Sequence, residues 1–260
     1  MSNRPTSVCI DNVDSFFSLI ESALRTQDFL DEIRRQCRAD EDSFRHCWRW
    51  LESRDRTSLI AKAAYNCLLD ELSAVVTHVH AFHGCRVYAD STYHIEGIKP
   101  LTDEWITAEV RKWAGTIPAS ESDAGRLLQD YIRDYGGKVC AVKSLKAHQD
   151  KGGYGHALGS EALRKILNLH CPSGLERMLQ TGEPSIIEFT IPVAELENKA
   201  WPNFVSDLLR IWLARQVGYP WPNDPRHGGI VLSRLVPPNW LLCRHICDSC
   251  GILTGRISEY

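Results

Sequence analysis

Residues 74–101 read AVVTHVHAFHGCRVYADSTYHIEGIKPL. As far as Tyr88 the run is rich in β-branched and aromatic residues, which predicts a strand. The preceding sequence has a different period. Val13, Phe16, Phe17, Ile20 and Leu24 fall at helical spacing. So do Phe44, Cys47, Trp48 and Leu51, and then Leu59, Ile60, Ala63, Cys67, Leu68 and Leu72. Ser43 and Thr57 stand where helix caps can begin, and no glycine precedes Gly84. The change of period predicts a helical region over residues 1–74 and a second domain over 75–260. Phe16, Phe17, Trp48 and Trp50 carry more apolar surface than a solvated arm exposes, so the helices are expected to pack on the core.

Beyond residue 88, strand and helix signals alternate. DEWITAEVRKWAG and ESDAGRLLQDYIRDYGG predict helices, the second ending at glycines. KVCAVKSL predicts a strand, and GSEALRKILNLH a helix with Ser160 near its start. PSIIEFTIPVAEL predicts a strand, FVSDLLRIWLARQVG a helix, and GGIVLSRLV a strand stopped by Pro237 and Pro238. This order predicts an α+β domain with a split mixed sheet and interspersed helices.

The composition is that of a globular chain: 260 residues, 43% hydrophobic, 24% charged, net charge −3. That charge gives no broad drive toward nucleic acid or membrane, although a local basic groove stays open. No apolar run approaches the ~20 residues of a membrane helix. The N-terminus, MSNRPTSVCIDNVDSFF, lacks a charged-then-apolar signal pattern. Ten scattered cysteines then read as reduced thiols, and the expected compartment is the cytoplasm.

Three stretches carry chemistry. In His83-Gly84-Cys85-Arg86, a strand-end imidazole can donate to a ribose hydroxyl. Gly84 lets a ligand approach the backbone, and Arg86 can grip a phosphate bidentately. The plainer reading is a strand that turns at a glycine, with His83 packed and Arg86 solvated. In GGYGHALGSEALRKIL, residues 152–167, Tyr154 can stack on a planar ring. Ser160 can cap a helix whose N-terminus favours anions, and Glu161 follows in its first turn. The third stretch is the tail CRHICDSC, with Cys243, His245, Cys247 and Cys250 in a compact spacing that lacks the usual second C-x-x-C. Cys85, two residues from His83 on the same strand face, is a candidate nucleophile. Lys138, Lys143, Lys146, Lys151, Arg164 and Lys165 make one segment locally basic, a second route to nucleic-acid binding.

The order of these motifs resembles the ADP-ribosyltransferase superfamily. The resemblance rests on His83-Gly84-Cys85-Arg86, on the turn Gly97-Ile98-Lys99-Pro100, and on VLSRLVPPNWL near the end of residues 75–245. It implies a split mixed sheet of ADP-ribosyltransferase type and NAD, bound bent, as substrate. His83 would hydrogen-bond the ribose beside nicotinamide, and the Gly84 backbone would pair with the carboxamide. Arg86 would contact the pyrophosphate, Tyr93 or Tyr154 would stack on the ring, and Ser160 would line the pocket. No metal is implied. The partners implied are a protein, RNA or DNA acceptor and, for a toxin or antiviral-defence member, an inhibitory antitoxin. Cys85 replaces the common threonine, and RHGGIVLSR has no glutamate where many members carry the catalytic acid. Glu161 or Glu188 would take that role, with Glu161 preferred because it shares a constellation with Tyr154 and Ser160. Without such an acid, the alternative is a non-catalytic nucleotide-binding module or a nucleic-acid-binding protein.

Overall fold

The computed structural model describes residues 6–23, 59–149, 158–197, 199–216, 229–248 and 252–257. In chain order these form β1 (Thr6–Val8), α1 (Phe17–Ala23), α2 (Leu59–Val75), β2 (Val76–Val87), α3 (Tyr93–Glu96), α4 (Asp103–Ala114) and α5 (Asp123–Tyr135). There follow β3 (Val139–Ala141), α6 (Lys146–Gln149), α7 (Glu161–His170), α8 (Pro172–Gln180), β4 (Glu183–Pro192) and α9 (Ala200–Gln216). The last elements are β5 (Ile230–Leu232), β6 (Leu241–Cys247) and β7 (Leu253–Ile257). The architecture is α+β and its main sheet is mixed. The expected helical groups around Phe44–Leu51, with Trp48 and Trp50, lie outside the described residues.

α2 passes into β2 without a loop. Val75, Val76 and Thr77 are β-branched, stiff at χ1 and better suited to a pleat than to another helical turn. The five-stranded sheet has the order β1-β2-β4-β6-β7, and β3 and β5 form a separate pair. β1 runs parallel to β2, whereas β4/β6, β6/β7 and β3/β5 are antiparallel.

The chain divides into two compact units, residues 1–79 with 191–224, and residues 80–190 with 225–260. The division is not a single cut near residue 75, because α9 returns to the first unit. There α1, α2 and α9 touch one another. Ile20, Leu68, Leu72, Phe204 and Trp212 are wholly buried, Tyr65 donates to the Pro202 carbonyl, and the Trp201 indole donates to Ser73.

In the second unit, α4, α5, α7 and α8 share an apolar core of Ile106, Val110, Trp113, Leu128, Ile166, Leu167 and Met178. Three of these helices start on the side chains expected of caps. The hydroxyl oxygens of Thr102, Ser122 and Ser160 accept from the N–H groups of Trp105, Gly125 and Leu163.

Gly97, at the C-terminus of α3, has φ 75°. A Cβ there would stand 2.0 Å from the Val236 carbonyl oxygen. The approach is close because Ile98 and Val236 exchange backbone hydrogen bonds of 2.9 and 3.0 Å. The Gly-Ile-Lys-Pro turn and the Val-Pro-Pro turn are thus one feature. We predict that Gly97→Ala lowers the unfolding free energy by about 2–4 kcal/mol, combining left-handed strain with the clash. Gly115 has φ 79° but nothing within 4 Å of its missing Cβ, so Gly115→Ala should cost only about 1 kcal/mol. Urea denaturation of both variants checks the difference. Equal losses would show that conformation alone, and not the Val236 contact, sets the requirement.

Candidate functional site

The residues singled out from the sequence occupy both faces of β2. Alternation along the strand turns His83 and Cys85 to one face and Arg86 to the other. The His83 Nδ1–H donates to the Cys140 carbonyl at 2.9 Å. That bond makes Nε2 the accepting nitrogen of the neutral ring. A ribose hydroxyl would therefore donate to His83, the reverse of the sense expected from the sequence. Gly84 is half-buried beside it.

Tyr93 belongs to α3 and hydrogen-bonds the Cys85 sulfur. With Tyr88, His94 and Arg244 it lines a shallow groove of about 340 Å³. His83, Gly84, Ser160 and Glu161 are not among its walls. Cys85 does not suit the nucleophile role. Its burial pushes the thiol up to about 12, and the Tyr93 bond only partly opposes this.

Arg86 requires a correction. Expected as a phosphate contact or, in the plainer reading, as a solvated side chain, it is 6% exposed. Its Nε donates to the Thr181 carbonyl at 2.9 Å, and its Nη2 to those of Leu179 at 2.7 Å and Gly182 at 2.9 Å. These carbonyls lie at and just beyond the C-terminus of α8, where helical partners run out. The guanidinium ties the end of α8 to β2. Gly159, with φ 110°, lies over the aliphatic part of Arg86, where a Cβ would be 3.2 Å from Cγ. The start of α7 is thereby brought against the His-Gly-Cys-Arg strand. Ser160 caps α7, and Glu161 pairs with Lys165 one turn on, its side chain 42% exposed. Tyr154 lies outside the described residues. In the basic segment Lys143 is 3% exposed, Lys165 pairs with Glu161 with its side chain 55% exposed, and Lys151 lies outside the described residues.

A second group of chemically capable side chains crosses the main sheet. Glu188 of β4 stands opposite Cys243 of β6, His245 lies two residues further on β6, and Arg256 of β7 stands opposite His245. His80 reaches Glu188 from β2. An ionised carboxylate only accepts, so the protons lie on its partners. His80 Nδ1–H donates to Oε1 at 2.8 Å. His245 Nε2–H donates to Oε2 at 2.8 Å, and the Cys243 thiol donates to the same oxygen at 3.1 Å. Arg256 Nε–H donates to the Cys243 sulfur at 3.1 Å.

Burial is the largest single influence on Glu188 and pushes its carboxyl up. The hydrogen bonds from His245, His80 and Cys243 together override it and hold the group well below the usual carboxylate range. Burial, reinforced by the bond to Glu188, pushes the Cys243 thiol up to about 11. Among the described residues, Glu188, Cys243 and His245 form the one group whose metal-ligating atoms lie within 4.8 Å of one another. Cys247, which shares the tail with Cys243 and His245, is not in this group, and Cys250 lies outside the described residues. His80 and Arg256 were not singled out from the sequence. The alternation of Cys243 and His245 places those two side chains on one strand face, but no local signal points to His80 or Arg256.

No family model, curated protein or solved structure matches the chain.

The carbonyl tie makes a testable claim about Arg86. Arg86→Met leaves the carbonyls of Leu179, Thr181 and Gly182 without their donor, at an expected cost of about 3 kcal/mol. Chemical denaturation reads this directly. A variant with unchanged stability would return Arg86 to the role of a ligand contact.

Proposed function

We propose that the chain is an NAD-dependent ADP-ribosyltransferase acting on a macromolecular acceptor. The observation that carries the reading is the pairing of Gly97-Ile98 with Val236. Two of the motif turns on which the resemblance rests, far apart in sequence, are a single structural feature. The contact of Gly159 with Arg86 brings the helix start carrying Ser160 and Glu161 to the same strand, although on the face opposite His83.

In this reading, His83 Nε2 accepts a hydroxyl of the nicotinamide ribose, and the Gly84 backbone holds the carboxamide. Tyr93 or Tyr154 stacks on the nicotinamide ring. Arg86 acts indirectly, by fixing the strand against α8. Glu161 leaves its exposed ion pair to face the cationic, oxocarbenium-like ribose that forms as the glycosidic bond breaks. Its carboxylate also orients the acceptor nucleophile.

A second reading is a nucleotide-binding module without turnover. It is favoured by β5, whose residues Ile230, Val231 and Leu232 supply no carboxylate.

Incubation of the full chain with labelled NAD and a mixed pool of protein, RNA and DNA separates these readings. Nicotinamide release with label transfer is the expected result. Release without transfer would mark an NAD hydrolase, and binding without release the module. Glu161→Gln should cut turnover about a hundredfold while leaving NAD binding nearly unchanged, since the lost charge acts mainly in the transition state. His83→Ala should weaken NAD use. Full activity in Glu161→Gln would exclude Glu161 as the acid.

A further inference from the structure

We propose that Glu188, Cys243 and His245 form a binding site for a zinc-class divalent metal ion, with His80 and Arg256 as outer partners. Three independent features converge on it.

The first is geometry. The donor atoms are separated by 2.8 Å (His245 Nε2 to Glu188 Oε2), 3.1 Å (Cys243 Sγ to Oε2) and 3.4 Å (Sγ to Nε2). A circle through three atoms so spaced has a radius of about 1.8 Å, slightly less than Zn–N, Zn–O and Zn–S bonds of ~2.0–2.3 Å. A point at bonding distance from all three therefore exists just off their plane, without any backbone movement.

The second feature is the donor set. Sulfur and imidazole select zinc, cobalt and related ions, and disfavour magnesium and calcium, which prefer all-oxygen shells. The three donors come from two paired strands and are buried, with Cys243 at 0% exposure, His245 at 7% and Glu188 at 9%. Rigid, desolvated ligands lose little entropy on binding.

The third is the surrounding shell. His80 holds the second carboxylate oxygen of Glu188, and Arg256 donates to the Cys243 sulfur. Hydrogen bonds of this kind orient metal ligands and balance their charge. The Arg256 side chain is 60% exposed, so its charge can withdraw to solvent as the cation enters.

The proton balance is simple. Glu188 is already ionised. The Cys243 thiol loses its proton to solvent, and the neutral His245 ring moves its proton from Nε2 to Nδ1. Three protein donors leave a fourth position for water, as open zinc sites do. The site is independent of the proposed NAD chemistry, which requires no metal.

Cobalt(II) is the probe, because a thiolate–cobalt bond gives a charge-transfer band absent from oxygen and nitrogen ligation. The full chain is stripped with chelator, checked for folding by circular dichroism, and titrated with cobalt(II), then zinc(II). The expected result is a single cobalt per chain with a thiolate band that zinc displaces. Cys243→Ser should abolish the band, while Cys247→Ser and Cys250→Ser keep it. His80→Ala should weaken cobalt affinity about tenfold or more, as for an outer partner. A folded wild-type chain with no thiolate band would overturn the proposal, even if Cys243→Ser fails to fold. So would a band that survives Cys243→Ser but is lost in Cys247→Ser or Cys250→Ser.

Discussion

A carboxylate inside a β-sheet must be answered, and Glu188 is answered from both sides. His80 comes from β2, and Cys243 and His245 come from β6. Removing the partners of a buried charge costs about 3–5 kcal/mol, a large part of a typical domain's stability. A slip of one residue between β4 and β6 would turn Cys243 and His245 to the opposite face and leave the charge without two donors. The register of the sheet's interior strands is thus specified by one ionised group as well as by apolar pattern. Ile186, Ile187, Phe189 and Ile191 are wholly buried around it on β4, so little water is at hand to relieve a mismatch.

A second constraint acts through the backbone. Arg86 closes the end of α8, and Gly97 admits the Val236 carbonyl. In each case a group at the edge of a helix finds its partner on a distant segment. Gly182 works in the same way, since a Cβ there would stand 2.6 Å from the Tyr88 ring. Residues that read as ligand contacts or loop breakers in the sequence serve here as close-approach points between elements.

How much was legible in the sequence follows from where each cause resides. α4, α5 and α7 are legible because Thr102, Ser122 and Ser160 cap them locally. β2 is legible because its β-branched run contrasts with the helical period before it. α8 is not, because it opens at Pro172 with no side-chain cap, and a proline after α7 reads equally well as a breaker. β6 is not legible because Cys243 and His245 are buried by pairing with Glu188, a nonlocal cause, and the short β7 is largely exposed. The tail reads as a run of thiols, whereas the structure keeps Cys243 and His245 together and supplies the third member from β4. Arg86 reads as a phosphate contact because nothing local reveals the three carbonyls that receive it.

The two candidate acids differ in what it costs to use them. Both oxygens of Glu188 are occupied, one by His80 and the other by His245 and Cys243, and the group is 9% exposed. To meet a developing cation it would have to break buried hydrogen bonds worth about 1.5–3 kcal/mol each. Glu161 is held by an exposed i,i+4 pair with Lys165, an interaction worth only about 0.3–0.5 kcal/mol. That pair alone is cheap for Glu161 to break. Its place in the first turn of α7 also sets its charge beside the helix N-terminus, where an ionised carboxylate is favoured by about 0.3–1 kcal/mol. A catalytic carboxylate needs a charge that is stable yet free to turn toward substrate. Glu188 meets only the first condition, and a locked anion among sulfur and imidazole donors is better suited to holding a cation than to chasing one.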